Sequence, residues 1–225
     1  GDKVLAVTAV SATYPSSELI LARKTAGKLG ARHRVIKTNE FADKKFTANP
    51  VNRCYYCKNE LFKKLKKIAR REKLRFVIDA SNFSDRKDFR PGARAKTELG
   101  IRSPLEEAGF TKQDIRRESR VLGLSTWDKP AQACLASRVP YGTKLLPEAL
   151  ARINKAEDYL KRIGFKQSRL RHHNGFCRIE VLKKDIPQLI RKRNLLVGKL
   201  KKLGYNYITV DLEGYRTGSM NEVIK

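Results

Sequence analysis

Two rhythms divide this chain. In the first part, short apolar runs alternate with stretches where apolar residues recur every three or four positions. Residues 4–10, 34–37 and 76–79 are the short runs. They are β-branched and brief enough to read as buried parallel strands. Ser16, Ser17 and Glu18 open a helix that Gly30 closes. Asn49 and Pro50 punctuate the next junction, and residues 51–70 then carry Leu61, Phe62, Leu65 and Ile68 at helical spacing. Ser103 and Pro104 start a short helix, and Thr111 with Asp114 caps another that runs to Leu122 before Gly123. This strand–helix alternation predicts a parallel α/β sheet.

From about residue 146 the pattern changes. Residues 147–163 read as a helix, 168–172 and 176–181 as strands around Asn174-Gly175, 186–203 as a helix and 205–212 as a last strand. Asn-Gly between two apolar runs is a strong hairpin signal. The expected organisation is an α/β domain over 1–145 and a small α+β domain over 146–225.

The 225 residues suffice for one or two cores. No apolar run is long enough to span a bilayer, and no signal-peptide pattern opens the chain. Four cysteines are too few for a disulfide scaffold, so the expectation is a cytoplasmic protein with reduced thiols and no membrane partner. A formal charge of +27 favours nucleic acids, nucleotides or anionic substrates. The basic residues are not gathered in one stripe and no aromatic platform interleaves them, so a solvated, lysine-rich surface is the stronger reading.

Cys54 and Cys57 lie three apart in the helix read over 51–70, a spacing that puts them on one face. A C-x-x-C pair is common to zinc sites, redox pairs and iron–sulfur sites. Cys134 lies far downstream in Pro130-Ala131-Gln132-Ala133-Cys134-Leu135-Ala136-Ser137-Arg138. Ligands in parallel α/β sheets bind beyond the carboxyl ends of the strands. There stand Ser81, Asn82 and Asp85, followed by Asp88-Phe89-Arg90-Pro91-Gly92. An amide and a carboxylate suit a ribose or base, and a guanidinium suits phosphate. Helix caps on an ordinary surface loop fit the same pattern equally well.

Taken together, several stretches resemble the LarE family of ATP-dependent sulfur transferases, which make the nickel-pincer nucleotide cofactor of lactate racemase. They are residues 79–82, 88–92, Arg102-Ser103-Pro104-Leu105, Trp127-Asp128-Lys129-Pro130, Cys134 to Arg138, Pro140-Tyr141-Gly142, Arg178-Ile179-Glu180 and 211–216. The resemblance implies an N-terminal PP-loop ATP-pyrophosphatase domain and a C-terminal domain that helps form a homo-oligomer, a hexamer in characterised members. It implies that ATP, with Mg2+, adenylates a carboxylate of pyridinium-3,5-biscarboxylic acid mononucleotide, and that sulfur then displaces AMP. One branch of the family sacrifices a cysteine at the position of Cys134; another has three cysteines and holds a 4Fe-4S cluster. By resemblance, Cys54, Cys57 and Cys134 are cluster ligands, with Cys134 catalytic. Ser81, Asn82, Asp85 and Arg90 fall to the nucleotide, Arg169 and Arg171 to the substrate phosphate, and Glu157 and Glu180 to a divalent cation. The family's Ser-Gly-Gly-x-Asp-Ser loop does not occur in this sequence, and residue 1 falls about where the family's second strand begins. The expectation is therefore an N-terminally incomplete PP-loop domain that does not adenylate until that segment is restored. The rival readings are a PP-loop tRNA thiolase, and a zinc-stabilised nucleotide-binding protein with Cys54, Cys57, Cys134 and Cys177 as a closed site.

Overall fold

The computed structural model describes every residue except Gly1, Asp2, Phe89, Ala131, Val223 and Lys225, and every described side chain but that of Lys87. Phe89 and Ala131, which belong to two of the stretches singled out above, thus lie outside the described residues. Two compact units divide the chain: residues 1–11 with 17–131, and residues 12–16 with 132–225. The boundary expected at 145 falls inside the second unit. The Leu135 N–H donates to the Thr13 carbonyl at 2.9 Å, and Arg138 pairs with Glu157. The turn-rich segment after Cys134 is therefore built into the second unit and does not end the first.

In the first unit, β1 (Ala6–Val10) and β2 (His33–Lys37) run parallel, with Ala6 opposite His33 and Val10 opposite Lys37. Helix α1 (Ser16–Lys28) makes the crossover. After the single turn α2 (Lys44–Thr47) comes the long α3 (Arg53–Arg71). It packs through Phe62 against Ala95 and Ile101, with Tyr55, Leu61, Leu65, Val77 and Leu99 around them. Ala95 belongs to α4 (Gly92–Glu98), a helix without apolar periodicity. Its small, fully buried Ala95 lets it lie close on α3. The turn α5 (Pro104–Glu107) and α6 (Lys112–Val121) follow; Thr111 and Asp114 form the expected capping box.

Two expectations need correction. Residues 76–79 do not form a strand: a single parallel bridge joins Ile78 to Arg102. An extended segment becomes a strand through ladder partners, and this one has a neighbour on one side only. Nor is β1 fully buried; its five residues are all partly exposed. The cause is shared. An apolar groove of about 310 Å³ is lined by Val4, Val7, Leu65, Ile68, Phe76 and Ile78, and Val4, Phe76 and Ile78 are each about half exposed.

In the second unit, β3 (Ser168–His173) and β4 (Phe176–Val181) form the antiparallel hairpin, and β5 (Tyr207–Val210) joins β4 in parallel. Asn174 and Gly175 both take positive φ, 30° and 101°, as a tight two-residue hairpin turn requires. Helix α7 (Pro147–Arg162) buries Leu150, Ile153, Ala156 and Leu160 on one face, as its spacing predicts. The helix expected over 186–203 is two helices, α8 (Ile186–Arg191) and α9 (Arg193–Lys202). The break falls at Lys192, whose ammonium donates to the Ile163 carbonyl at 2.6 Å at the end of α7 and lies over the Phe165 ring. No described helix is long and apolar enough to cross a membrane.

Candidate functional site

The first unit carries Cys54 and Cys57 in the first turns of α3, both partly exposed. Their turn is clasped from the side by α4. Tyr55 Oη donates to Glu98 at 2.7 Å, Arg94 Nε donates to the same carboxylate at 2.7 Å, and the Arg94 guanidinium lies 5.2 Å over the Tyr55 ring. The two donors hold the Glu98 carboxyl below its ordinary range, and the same carboxylate raises the Tyr55 phenol. Gly92 makes the approach possible: a Cβ there would stand 3.0 Å from Lys58 Cγ and 3.4 Å from the Cys54 carbonyl oxygen. Gly92 belongs to the 88–92 stretch singled out in the sequence, but Arg94 and Glu98 were not read as part of the site; the small Gly92, Ala93 and Ala95 were the available signal for close helix packing.

The loop residues assigned to a nucleotide meet in the same unit. Asn82 donates to Asp85 Oδ2 from its backbone at 3.2 Å and from Nδ2 at 3.0 Å, and Arg90 Nη2 donates to Asp85 Oδ1 at 2.7 Å. Asp85 is buried, Arg90 about half exposed, and Asn82 Oδ1 is buried with no hydrogen-bond partner. Ser81 instead turns back on Asp79, its hydroxyl donating at 2.8 Å and its N–H at 3.1 Å. Ser103 Oγ donates to Asp79 at 2.6 Å, and Lys96 Nζ to Ser103 at 2.9 Å. Partial burial pushes the Asp79 carboxyl up, but the Ser103 and Ser81 hydrogen bonds and the Lys96 charge outweigh it, and the net shift is downward. This chain borders a cleft of about 410 Å³ lined by Phe83, Arg86, Lys96, Ile101, Ser103 and Glu106.

The second unit holds the third thiol. Cys134 is exposed and caps the one-turn 3-10 helix Leu135–Arg138. Arg138 is wholly buried and meets Glu157 through Nε at 2.8 Å and Nη2 at 2.9 Å. Arg171 meets Glu180 in the same two-pronged way, at 2.8 and 2.7 Å, and also donates to the Ser137 carbonyl and the Ser219 hydroxyl. Arg169 is buried too, with its guanidinium 5.3 Å over the Tyr215 ring. Burial, then the neighbouring Arg138 charge, lowers its pKa. The structure thus gathers Arg138, Arg169, Arg171, Glu157 and Glu180. Each carboxylate is engaged by guanidinium on both oxygens, so neither presents an unoccupied pair of oxygens to a cation. Arg138, Ser219 and Tyr215 were not among the expected site residues. An arginine on the apolar turn Leu-Ala-Ser-Arg was the available signal for Arg138.

No disulfide joins any of the four cysteines. Cys177 lies fully buried in β4, where desolvation pushes its thiol up to about 12. Its place inside a core strand is that of a packing group. Within either unit, no three described His, Cys, Asp or Glu side chains are grouped for a metal ion.

The first unit is thus α/β with paired thiols on its longest described helix, and the second is α+β with an exposed third thiol at the head of a turn whose backbone meets buried Arg138 and Arg171. No family model matches the chain, but known proteins do. An uncharacterized protein of Synechocystis is 43% identical over the whole chain, which covers 84% of that protein. The pyridinium-3,5-bisthiocarboxylic acid mononucleotide synthase of Lactiplantibacillus plantarum is 35% identical over 99% of the chain and 81% of its own length. An uncharacterized protein of Methanocaldococcus jannaschii is 29% identical over 85% of the chain and 73% of its own length. The chain belongs to the family of the Lactiplantibacillus plantarum synthase, the LarE family.

Proposed function

We propose that this protein is an ATP-dependent sulfur transferase that converts a carboxylate of pyridinium-3,5-biscarboxylic acid mononucleotide into a thiocarboxylate, in the biosynthesis of the nickel-pincer cofactor of lactate racemase. The observation that carries the reading is the match, over 99% of this chain and 81% of the relative, to a synthase named for a product that bears two thiocarboxylates. A carboxylate is a poor acyl donor. Its oxygen attacks the α-phosphorus of ATP, the α–β phosphoanhydride bond breaks, and pyrophosphate leaves. A sulfur nucleophile then attacks the acyl carbon and expels AMP. Arg90 and the Asn82–Asp85 turn are assigned to the nucleotide. Arg169 and Arg171 are assigned to the substrate phosphate, where planar guanidinium donors match phosphate oxygens.

The donor set fits an iron–sulfur group: two partly exposed thiols a helical turn apart and a third exposed thiol, all soft ligands. Cys54, Cys57 and Cys134 would hold a 4Fe-4S cluster, which on three protein thiolates supplies an iron able to carry an exchangeable sulfide.

The deciding experiment is anaerobic purification with an absorption spectrum and counts of iron and acid-labile sulfide. A brown protein holding about four of each per chain, lost in Cys57→Ala, supports the cluster. A protein that stays colourless after anaerobic reconstitution sinks it and leaves Cys134 as a sacrificial sulfur donor. Sulfur transfer that survives Cys134→Ala overturns both routes.

A further inference from the structure

Arg138 does more than neutralise a buried acid. Its guanidinium has two working edges. Nε and Nη2 face Glu157, on α7. Nη1 faces the other way and donates to the Ala133 carbonyl at 3.0 Å, the Cys134 carbonyl at 3.2 Å and the Ser137 hydroxyl at 2.8 Å. The Ser137 hydroxyl in turn donates to the Cys134 carbonyl at 2.8 Å. Glu157 is fixed as well, since its Oε1 accepts the Leu170 N–H of β3 at 3.0 Å. An unbroken chain of charge-assisted hydrogen bonds therefore runs from the sheet of the second unit, through Glu157 and Arg138, to the peptide on either side of Cys134. The thiol itself is outside this chain and exposed.

We propose that Arg138, held by Glu157, is a positioning residue that fixes the backbone bearing Cys134. On this proposal Glu157 serves the guanidinium and is not a cation ligand. The proposal rests on the reading that Cys134 carries the sulfur chemistry. Three features favour it over a purely structural ion pair. The guanidinium turns Nε and Nη2 to the acid and Nη1, with its two N–H groups, to three acceptors on residues 133–137. The turn it grips is also held by Arg171, itself clamped on Glu180, whose Nη1 donates to the Ser137 carbonyl at 2.9 Å. A planar fork clamped on one edge fixes direction as well as distance, which a lysine ammonium does not.

The test uses Glu157→Gln, which keeps shape but removes charge, and Ser137→Ala, which removes the bridging hydroxyl on a partly exposed turn and so tests the mount even if the buried variant fails to fold. Amide hydrogen exchange is followed by mass spectrometry over peptides covering 132–139. The expected result is exchange about tenfold to a hundredfold faster there in Glu157→Gln, the range set by one charge-assisted hydrogen bond, with smaller acceleration in Ser137→Ala and no change in peptides of the first unit. After anaerobic reconstitution, both variants should lose iron to a chelator faster than the parent, and Glu157→Asp should restore part of the difference. Mn2+ affinity, read by electron paramagnetic resonance, should be the same in Glu157→Gln and the parent. Unchanged exchange at 132–139 in both variants overturns the mount. So does loss of Mn2+ binding in Glu157→Gln without a change in exchange, since Glu157 would then be a metal ligand. A parent that binds no iron sinks the cluster reading alone, because the exchange result stands apart from it.

Discussion

Replacing Arg138 by Met leaves a carboxylate buried without its cation. In the parent both groups are out of solvent, with Arg138 at 0% and Glu157 at 2% exposure. Two short N–H···O bonds to the acid vanish in the variant, while the Leu170 N–H still donates to it. Breaking one side of a buried pair costs about 3–5 kcal/mol, chiefly because the surviving charge is left uncompensated. Losing the three part-buried contacts to residues 133–138 loosens that turn locally and adds less to the global cost than the unpaired acid does. Replacing both partners, as Arg138→Met with Glu157→Leu, removes the charge problem and is expected to fall within about 1–2 kcal/mol of the parent. The double variant should therefore be more stable than Arg138→Met alone. Urea unfolding followed by circular dichroism, with the slope held common, measures all members of the cycle.

An Arg138→Met protein within 1 kcal/mol of the parent at pH 7, roughly the worth of a surface pair, refutes the reasoning. It would mean that water reaches the pair.

Three other outcomes follow from the geometry. Gly92→Val should destabilise the first unit by about 1–3 kcal/mol, the cost of overpacking, because its Cβ meets Lys58 and the Cys54 carbonyl; unchanged stability with unchanged iron retention would show that α4 does not brace the thiol turn. Iodoacetamide at pH 8 should label Cys134 in the native protein and spare Cys177, whose thiol is fully buried and pushed up to about 12, and peptide mapping that finds the two labelled at equal rates contradicts the packing role. The Asp79 carboxyl is depressed in the folded state, so its stabilisation is present above its unfolded pKa of about 3.9 and lost as pH falls through the folded value; the gap between parent and Asp79→Asn in urea midpoint should close below that range, and a gap independent of pH counts against it.

Most of the second unit was legible in the sequence, because its signals are local. Asn174-Gly175 sets the hairpin register by itself, and the apolar face of α7 is written at helical spacing. The first unit was legible where one element decides its own form, as in α1 and α3. It was misread at residues 76–79, since strand identity there depends on a neighbour and not on the Phe-Val-Ile composition. The helix break at Lys192 carries no local sequence signal, and the contact its ammonium makes, to the Ile163 carbonyl, lies 29 residues away. At the candidate site, residue types were legible and their partners were not. Glu157 and Glu180 read as metal ligands by resemblance, and only the fold shows that each already faces a buried guanidinium.

That outcome bears on what the buried charges are for. A buried ion pair is a poor source of stability, because desolvation consumes much of what the charges gain from each other. The second unit does not need one for stability: Leu150, Ile153, Leu160, Leu170, Ile179 and Leu200 are fully buried around it, each worth about 1.5–3 kcal/mol by transfer from water. What an apolar pair of the same volume could not supply is direction. Arg138 and Arg171 each reach from an acid in the interior to a carbonyl of the 133–138 segment, and the sheet thereby dictates where that segment lies. Exposed turns ordinarily sample many conformations, which costs any reaction that needs a thiol at one position. Here the sequence spends buried charge at the foot of such a turn, and the expense makes sense if the position of Cys134, more than the folding of the unit, is what those charges secure.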